Sequence, residues 1–368
     1  MGNRNSNRHH GLLFPSETDL TDFQILKFIG AGTFAKVFVV YHKGLKKEYA
    51  LKIMQKRRIC KYKLIENIIS ELNLLQSLSH PFICSLWYSF QDINQIYMIS
   101  DLLPGGDLAY HLKNQGRFSE SIAKLLFCEL ALALDYLHKQ SLSKQLLEGE
   151  LINTLSGTHL YMAPEIYLTA IGNITGYDWR TDWWSLGICF YEMLRGRTPY
   201  EYPSTFSSLH ALNIIYTRSV TMPSKWPSDL ISFLRAIINP DQSIRIDNFK
   251  SIQNHPYMER INWKNVFDRK MIPIFVPPKE QLESFARRNY RATISVPLSN
   301  NRAHNHHKLK YLFSKEKGST EAIELTQSNE FIEEIASLTA RFKKFNRFRC
   351  ETQIVEPRQS LDIEINKE

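Results

Sequence analysis

The stretch FQILKFIGAGTFAKVFVVYHKGLKKEYALKIM, residues 23–54, decides the fold of the amino-terminal part of this chain. Three runs rich in aliphatic, aromatic and β-branched residues alternate with short turns, a pattern that predicts an antiparallel meander. The first turn contains Gly30 and Gly32, which lack a Cβ atom and so let backbone amides approach a polyphosphate. Glycine pairs in hairpins also serve simply to permit a positive φ, so the turn alone leaves a nucleotide loop and a plain hairpin both open.

Two further features favour the nucleotide loop. In YALK, residues 49–52, alternation along a strand turns Ala50 and Lys52 to one face, as an apolar cover for a base and a cation for phosphates. The next segment, LIENIISELNLLQSL, residues 64–78, has apolar residues at helical spacing with Glu71 beside them. A carboxylate on that helix would keep the lysine ammonium oriented, and a merely solvated ion pair is the alternative.

In that order, the glycine turn, the YALK strand and the helix glutamate resemble the N-lobe of protein kinases. The likeness runs from about Phe23 to Met258, and the segments IYMISDLLPGGDL, DWWSLG and INWKNVFDRKMIPIFVPP resemble the YANK subgroup of AGC-related serine/threonine kinases. The resemblance implies a bilobal α+β fold, with a small antiparallel N-lobe carrying one helix and a larger helical C-lobe. It also implies ATP and Mg²⁺ as cofactors and a protein serine or threonine as substrate.

The resemblance assigns ATP-binding roles to particular residues. Asp101 and Leu103 would present the hinge backbone to the adenine edge, and Asp107 would bind the ribose or a substrate peptide. For Asp107, capping of the helix that follows is the alternative. The full set implied is Ile29, Gly30, Gly32, Val37, Ala50, Lys52, Glu71, Asp101, Leu103 and Asp107.

The catalytic motifs of the family are missing from the next part of the chain. A predicted amphipathic helix ending near His138 corresponds to the helix before the kinase catalytic loop, yet the chain continues SLSKQLLEGELINTLSGTHLYMAPE, residues 141–165, without HRDLKPxN or DFG. The aspartate that accepts the substrate hydroxyl proton and the groups that hold Mg²⁺ are therefore missing. Glu148 and Glu150 are the only carboxylates at the junction, and their spacing does not orient them on a metal.

We therefore expect an internal truncation near 140–144, with the catalytic-loop strands deleted, no catalytic residue and no metal ligand. ATP binding is expected to be weakened or lost, because the strand that forms the floor of the adenine pocket follows the catalytic loop. Loss of one or two large apolar side chains from the pocket, at roughly 1.5 to 3 kcal/mol each, moves a micromolar site toward millimolar.

Structural motifs of the helical lobe are present by the same resemblance. Glu165 in MAPE and Arg245 in DQSIR match a buried glutamate–arginine pair of the family. Asp182 opens the central helix, where its usual catalytic-loop partner is missing. Thr154 and Thr158 lie in the activation segment, with Thr154 at the usual position of phosphorylation.

The remaining segments flank a predicted kinase domain of residues 23–258. Residues 1–22 form an amino-terminal tail, 259–285 resemble the AGC carboxy-terminal extension, and 286–320 form a basic, disordered linker. Residues 321–368 form a further tail, in which 329–348 are predicted to be an amphipathic helix. Its apolar face would either pack on the kinase lobes or insert at a membrane surface.

Length, composition and charge limit the classes of function. The chain has 368 residues, 43% hydrophobic and 23% charged, which excludes collagen-like, fully disordered and disulfide-scaffold proteins. The net charge of +9 favours anionic partners. Among these, we expect an anionic membrane surface and not nucleic acid. The five cysteines show neither metal-binding nor disulfide spacing, as is usual in a reducing compartment.

The first residues, MGNRNS, match the N-myristoylation pattern at Gly2. One acyl chain binds membranes only marginally, and the basic linker would supply the second signal on an anionic leaflet. We expect a cytoplasmic protein, peripheral at the plasma or another membrane. Two functions stay open: a serine/threonine kinase of which this chain is a truncated form, and a noncatalytic pseudokinase that acts as a membrane-tethered scaffold.

Overall fold

The computed structural model describes residues 19–32, 35–144, 151–153, 155, 157–202, 207–271, 275, 329–345 and 347–348. They fall into two compact units. Of the described residues, unit 1 takes 19–78, 84–104 and 329–348, and unit 2 takes 79–83 and 105–275. A sheet in unit 1 and helices in unit 2 confirm the predicted α+β class.

Unit 1 is built on an antiparallel sheet of six strands in the order β1-β2-β3-β5-β4-β6. The strands are β1 Phe23–Ala31, β2 Ala35–His42, β3 Lys47–Gln55, β4 Leu86–Gln91, β5 Gln95–Asp101 and β6 Arg347–Phe348. Alternation divides β3 between two faces, because Tyr49, Leu51 and Ile53 are fully buried and the residues between them point the other way. The predicted meander β1-β2-β3 is confirmed, and the added strand β6 comes from the far end of the chain.

The α-helices of the described residues are α1 Lys56–Lys61, α2 Ile65–Ser77, α3 Leu108–Gln115, α4 Glu120–Lys144, α5 Pro164–Ala170, α6 Thr181–Arg195, α7 Ser208–Thr217, α8 Ser228–Ile237, α9 Phe249–Gln253, α10 Trp263–Phe267 and α11 Asn329–Phe342. Helices α1, α2 and α11 belong to unit 1. The sequence predicted one helix in the N-lobe and one in the tail; the structure adds the short helix α1 and places the tail helix α11 in the same unit. None of the described helices combines the length and the apolar character needed to cross a membrane.

The carboxy-terminal segment completes the core of unit 1. Phe331, Leu338, Phe342 and Phe345 are at most 8% exposed and pack against α1, α2 and β4. Packing on the kinase domain, the first of the two alternatives for this apolar face, is therefore what the structure shows. Leaving these four side chains in water would forfeit roughly 1.5 to 3 kcal/mol each, which is why the segment docks.

The end of the tail helix differs from the sequence prediction. Helix α11 stops at Phe342, a 3₁₀ turn covers Lys343–Phe345, and β6 then pairs with β4, so the prediction of one helix over 329–348 is wrong beyond 342. The edge of β4 offers unpaired backbone groups, and the chain leaves the helical path to pair with them. The Ser89 hydroxyl donates to the Phe345 carbonyl at the same place.

The core of unit 2 is formed by its helices. Helix α6 buries Trp183, Trp184 and Phe190, and the ring of Phe190 lies 4.8 Å from that of Phe127 on α4. Helix α4 continues to Lys144, beyond the position near His138 at which the sequence placed its end. In the described part of unit 2, β-structure is confined to one bridge between Ile152 and Tyr177.

Candidate functional site

The lysine and the glutamate predicted to grip a nucleotide meet in unit 1. The Nζ of Lys52 lies 2.8 Å from Oε1 of Glu71, with 30% and 40% of the two side chains exposed. Strand β3 turns Lys52 to the face opposite its buried residues, and α2 carries Glu71 beside its buried stripe of Ile68, Ile69 and Leu72. The ion pair therefore stands where solvent or a phosphate can reach the ammonium.

The described residues leave space beside the two glycines of the turn. Among the described residues, a Cβ atom built on Gly30 or Gly32 would meet nothing within 4 Å, and neither residue has a positive φ. The described neighbours therefore do not require glycine at either position, which is compatible with a ligand approaching the amides. The amide of Gly32 donates to the Ala35 carbonyl over 2.8 Å and closes the described part of the turn.

Apolar residues predicted to enclose adenine surround this turn. Val37 pairs with Lys52 across β2 and β3, and Ala50 pairs with Val39 two steps along the same ladder. Ile29 lies at the irregular step in the register between β1 and β2. All three predicted residues, Ile29, Val37 and Ala50, are half-buried.

The end of β5, predicted as the adenine hinge, is fixed by the side chain of Asp101. Its carboxylate accepts from the Ser85 amide at 2.9 Å and from the Trp87 indole N–H at 2.7 Å. Its own amide donates to the Ser85 carbonyl. This anchoring role was not predicted, and Leu103, the other predicted hinge residue, is 70% exposed.

In unit 2, Asp107 has the capping role that was the alternative for it. Its Oδ1 accepts from the Tyr110 amide at 2.6 Å, and its extended backbone begins α3. Contact with a ribose or a peptide stays a prediction for this residue.

The predicted structural pair of unit 2 is buried and complete. Arg245 donates through Nη1 to Oε1 of Glu165 at 2.6 Å and through Nη2 to Oε2 at 3.0 Å, and both side chains are 2% exposed. The Nε of Arg245 donates to the Asn239 carbonyl, and its guanidinium lies over the Trp184 ring. Such bidentate geometry compensates the desolvation of two buried charges.

Asp182, expected to lack its usual partner, has a different one. Nε2 of His138 lies 2.9 Å from Oδ2 of Asp182, and the imidazole packs against the rings of Trp179 and Trp183. His138 is 7% exposed, and the contact ties the last third of α4 to the start of α6. In the sequence, only the position of His138 near the end of a predicted helix pointed to this contact.

The activation-segment residues are only partly described. Thr158 is exposed, and its carbonyl accepts from the Tyr161 amide at the start of a 3₁₀ turn. Thr154 and the proposed lipidation site Gly2 lie outside the described residues.

The residues present fit a nucleotide better than a metal ion. The open cradle at Gly30 and Gly32 and the exposed Lys52 ammonium suit a polyphosphate. Within the described ranges, no group of three or more histidine, cysteine or acidic side chains is placed to hold a metal ion. Glu148 and Glu150 lie outside those ranges.

Comparison with known proteins agrees with this geometry. The model of the protein kinase domain matches the chain in two segments, residues 23–143 and 140–258. Human serine/threonine-protein kinase 32B is 36% identical over 307 residues, which cover 77% of this chain and 74% of that protein. Human serine/threonine-protein kinase 32C is 32% identical over 374 residues, covering 94% and 75%. The cAMP-dependent protein kinase type 3 of Saccharomyces cerevisiae is 32% identical over 289 residues, covering 71% of each chain.

Fold and motifs together define a protein kinase. The chain belongs to the protein kinase family, in its AGC-related YANK subgroup of serine/threonine kinases. Members of this family use ATP with Mg²⁺ and phosphorylate protein substrates.

Proposed function

We propose that this chain is a truncated form of a serine/threonine kinase that still has a nucleotide grip but transfers no phosphate. The observation that supports this most is the passage from α4 into the activation segment without HRD or DFG, at the residues where the two matched segments of the kinase domain overlap. Phosphoryl transfer depends on positioning and charge neutralisation, and both are supplied mainly by the motifs that are missing.

Nucleotide binding in this proposal rests mainly on residues of unit 1, with Asp107 of unit 2 as a further predicted contact, and is weak. Lys52, oriented by Glu71, would bind phosphate oxygens, and the amides around Gly30 and Gly32 would cover them. Val37 and Ala50 would contact one side of the base. The strand that would form the floor of the adenine pocket is missing from the sequence, so it cannot cover the other side of the base. The affinity for nucleotide therefore falls toward the millimolar range.

A noncatalytic scaffold is the second candidate function, and the supports of unit 2 favour it. The Glu165–Arg245 pair and the His138–Asp182 contact hold the helical unit together without a catalytic loop. A folded pseudokinase could therefore bind partners through this unit while transferring nothing.

Membrane association is part of both candidates. Gly2 acylation and the basic linker of residues 286–320 would together hold the protein on an anionic cytoplasmic leaflet, of the plasma or another membrane. The apolar face of α11 is buried in unit 1, which leaves the acyl chain and the basic residues to make the membrane contact.

Insertion of the missing segment tests the proposal. The residues of human serine/threonine-protein kinase 32B that carry its catalytic loop and DFG are placed between Gln140 and Ser141, and transfer of label from ATP to a serine/threonine peptide is measured. We expect transfer in the chimaera, its loss on Lys52→Met, and none in the original chain. Transfer by the original chain would overturn the proposal. Transcripts across the codons for Gln140 and Ser141 then separate the candidates, because a form that encodes HRD and DFG favours the truncated kinase.

A further inference from the structure

Helix α1 and the residues that follow it carry a dense run of positive charge. The stretch KRRICKYK, residues 56–63, has five basic residues and no acid. The inner side of this stretch is built into the core of unit 1, because Lys56, Ile59 and Cys60 are at most 2% exposed. Arg57, Lys61 and Lys63 are exposed, and Tyr62 between them is 49% exposed.

Glu66, an acidic residue close to this run, is already in an ion pair. Both carboxylate oxygens of Glu66 accept from Arg341 of α11, at 2.5 and 2.9 Å. The buried Lys56 ammonium donates to the Asp92 carbonyl and to the Thr339 hydroxyl. Glu334 on α11 lies near enough to Cys60 to help raise the pKa of that buried thiol to about 11.

The exposed cations of this stretch differ from Lys56. Across the described ranges, no ion pair forms to Arg57, Lys61 or Lys63. On strand β2, burial and the positive charge of Arg58 lower the pKa of Lys36, so like charges are held close together here.

We propose that Arg57, Lys61, Tyr62 and Lys63, the α1 basic face, form a binding surface for an anionic phospholipid bilayer. These side chains stand outward on a short surface helix and the residues after it, with an aromatic ring among the cations, a combination suited to a broad headgroup layer. A single bound phosphate would need convergent donors around one point, which an outward-pointing arrangement does not supply. This inference rests on the proposed membrane association and identifies the folded surface that would contact the membrane.

The size of the effect follows from the charge near the bilayer. Each lysine or arginine close to an anionic surface strengthens binding about fivefold, so removal of three should weaken it roughly a hundredfold. Interaction of this kind is screened by salt.

The test uses the full chain, produced without N-myristoyltransferase, so that the acyl chain contributes nothing. Cosedimentation is measured with phosphatidylcholine vesicles that contain about 30% phosphatidylserine, and with vesicles of phosphatidylcholine alone. The variant combines Arg57→Gln, Lys61→Gln and Lys63→Gln, which keeps side-chain length and removes charge. The matched control combines Arg218→Gln, Lys225→Gln and Lys264→Gln, three exposed cations of unit 2.

We expect the original chain and the control to bind the anionic vesicles, the variant to bind roughly a hundredfold more weakly, and none to bind the neutral vesicles. Equal binding by variant and control would overturn the α1 basic face. So would the absence of binding by the original chain, or displacement of the original chain from the vesicles by a micromolar phosphoserine peptide. Repeating the measurement with acylated protein keeps the proposals separate, since acylated protein that still binds supports the tether even where the α1 basic face fails.

Discussion

In unit 1, Lys52 and Glu71, predicted to grip a nucleotide, lie side by side, whereas in unit 2 the predicted pair that the structure brings together is one that supports the fold. Lys52 forms an ion pair with Glu71, and the tail adds a helix and a strand to the same unit. Unit 2 has the buried Glu165–Arg245 pair, and the sequence contains neither an HRD nor a DFG motif. The buried pair needs neither motif to form, so folding and catalysis can depend on different residues.

The physical reason lies in where each set is placed. Glu165, Arg245 and the aromatic residues of α6 are buried, and each compensates the burial of another. Residues of a catalytic loop face a ligand, as functional residues on loops commonly do. In unit 2, the His138 imidazole contacts Asp182 at the start of the central helix.

We expect the largest effect from a substitution that destabilises unit 2 and leaves unit 1 folded. Glu165→Ala leaves the Arg245 guanidinium buried without its counter-charge, and we expect a loss of about 3 to 5 kcal/mol in the free energy of unfolding. Urea unfolding followed by tryptophan fluorescence reports this unit, because Trp184 lies beside Arg245. Arg197→Ala, which removes an exposed pair with Glu201, is the control and should change less than about 1 kcal/mol. Equal effects of the two variants would contradict the structural role of the buried pair.

We expect the next largest effect from a substitution in the tail helix that destabilises unit 1. Leu338 is fully buried against the amino-terminal unit, and Leu338→Ala should cost about 2 to 4 kcal/mol through the cavity left behind. Hydrogen exchange of peptides covering α1, α2 and β4 measures the loss. Ile332→Ala on the same helix, at a side chain 55% exposed, should leave exchange nearly unchanged. Unchanged exchange in the Leu338 variant would show that the tail does not complete the core.

Some features of the two units could be predicted from the sequence, and others could not. The strand pattern of residues 23–54 is local, so β1, β2 and β3 were predictable, and the 19-residue separation of Lys52 and Glu71 identified a pair that the structure joins at 2.8 Å. Strand β6 was not predictable, because its pairing depends on contacts such as Ser89 with Phe345, 256 positions apart. No pattern in the sequence indicated that the Asp101 carboxylate anchors Ser85 and Trp87.

A further prediction concerns the pH dependence of the stability of unit 2. Burial, aided by Arg269, lowers the pKa of His80 to about 4, and its ring stacks on Tyr136. The unfolded chain takes up this proton near pH 6.5 and the folded chain does not, so stability falls as pH drops from about 6.5 to 4, by at most about 1.4 kcal/mol per pH unit. His80→Asn should flatten the pH profile of urea unfolding across that window. Parallel profiles for the variant and the original chain would contradict neutral burial of His80.

The central claim, a nucleotide grip without phosphoryl transfer, is tested most directly by a single-turnover measurement. The full chain, in excess over ATP labelled at the γ-phosphate and with Mg²⁺ and a basic serine/threonine peptide present, is followed for the position of the label. We predict that the label stays on the nucleotide, and that binding, measured by equilibrium dialysis of the same labelled nucleotide, weakens on Lys52→Met. Label on the peptide or the chain that disappears in the Lys52→Met variant would contradict it.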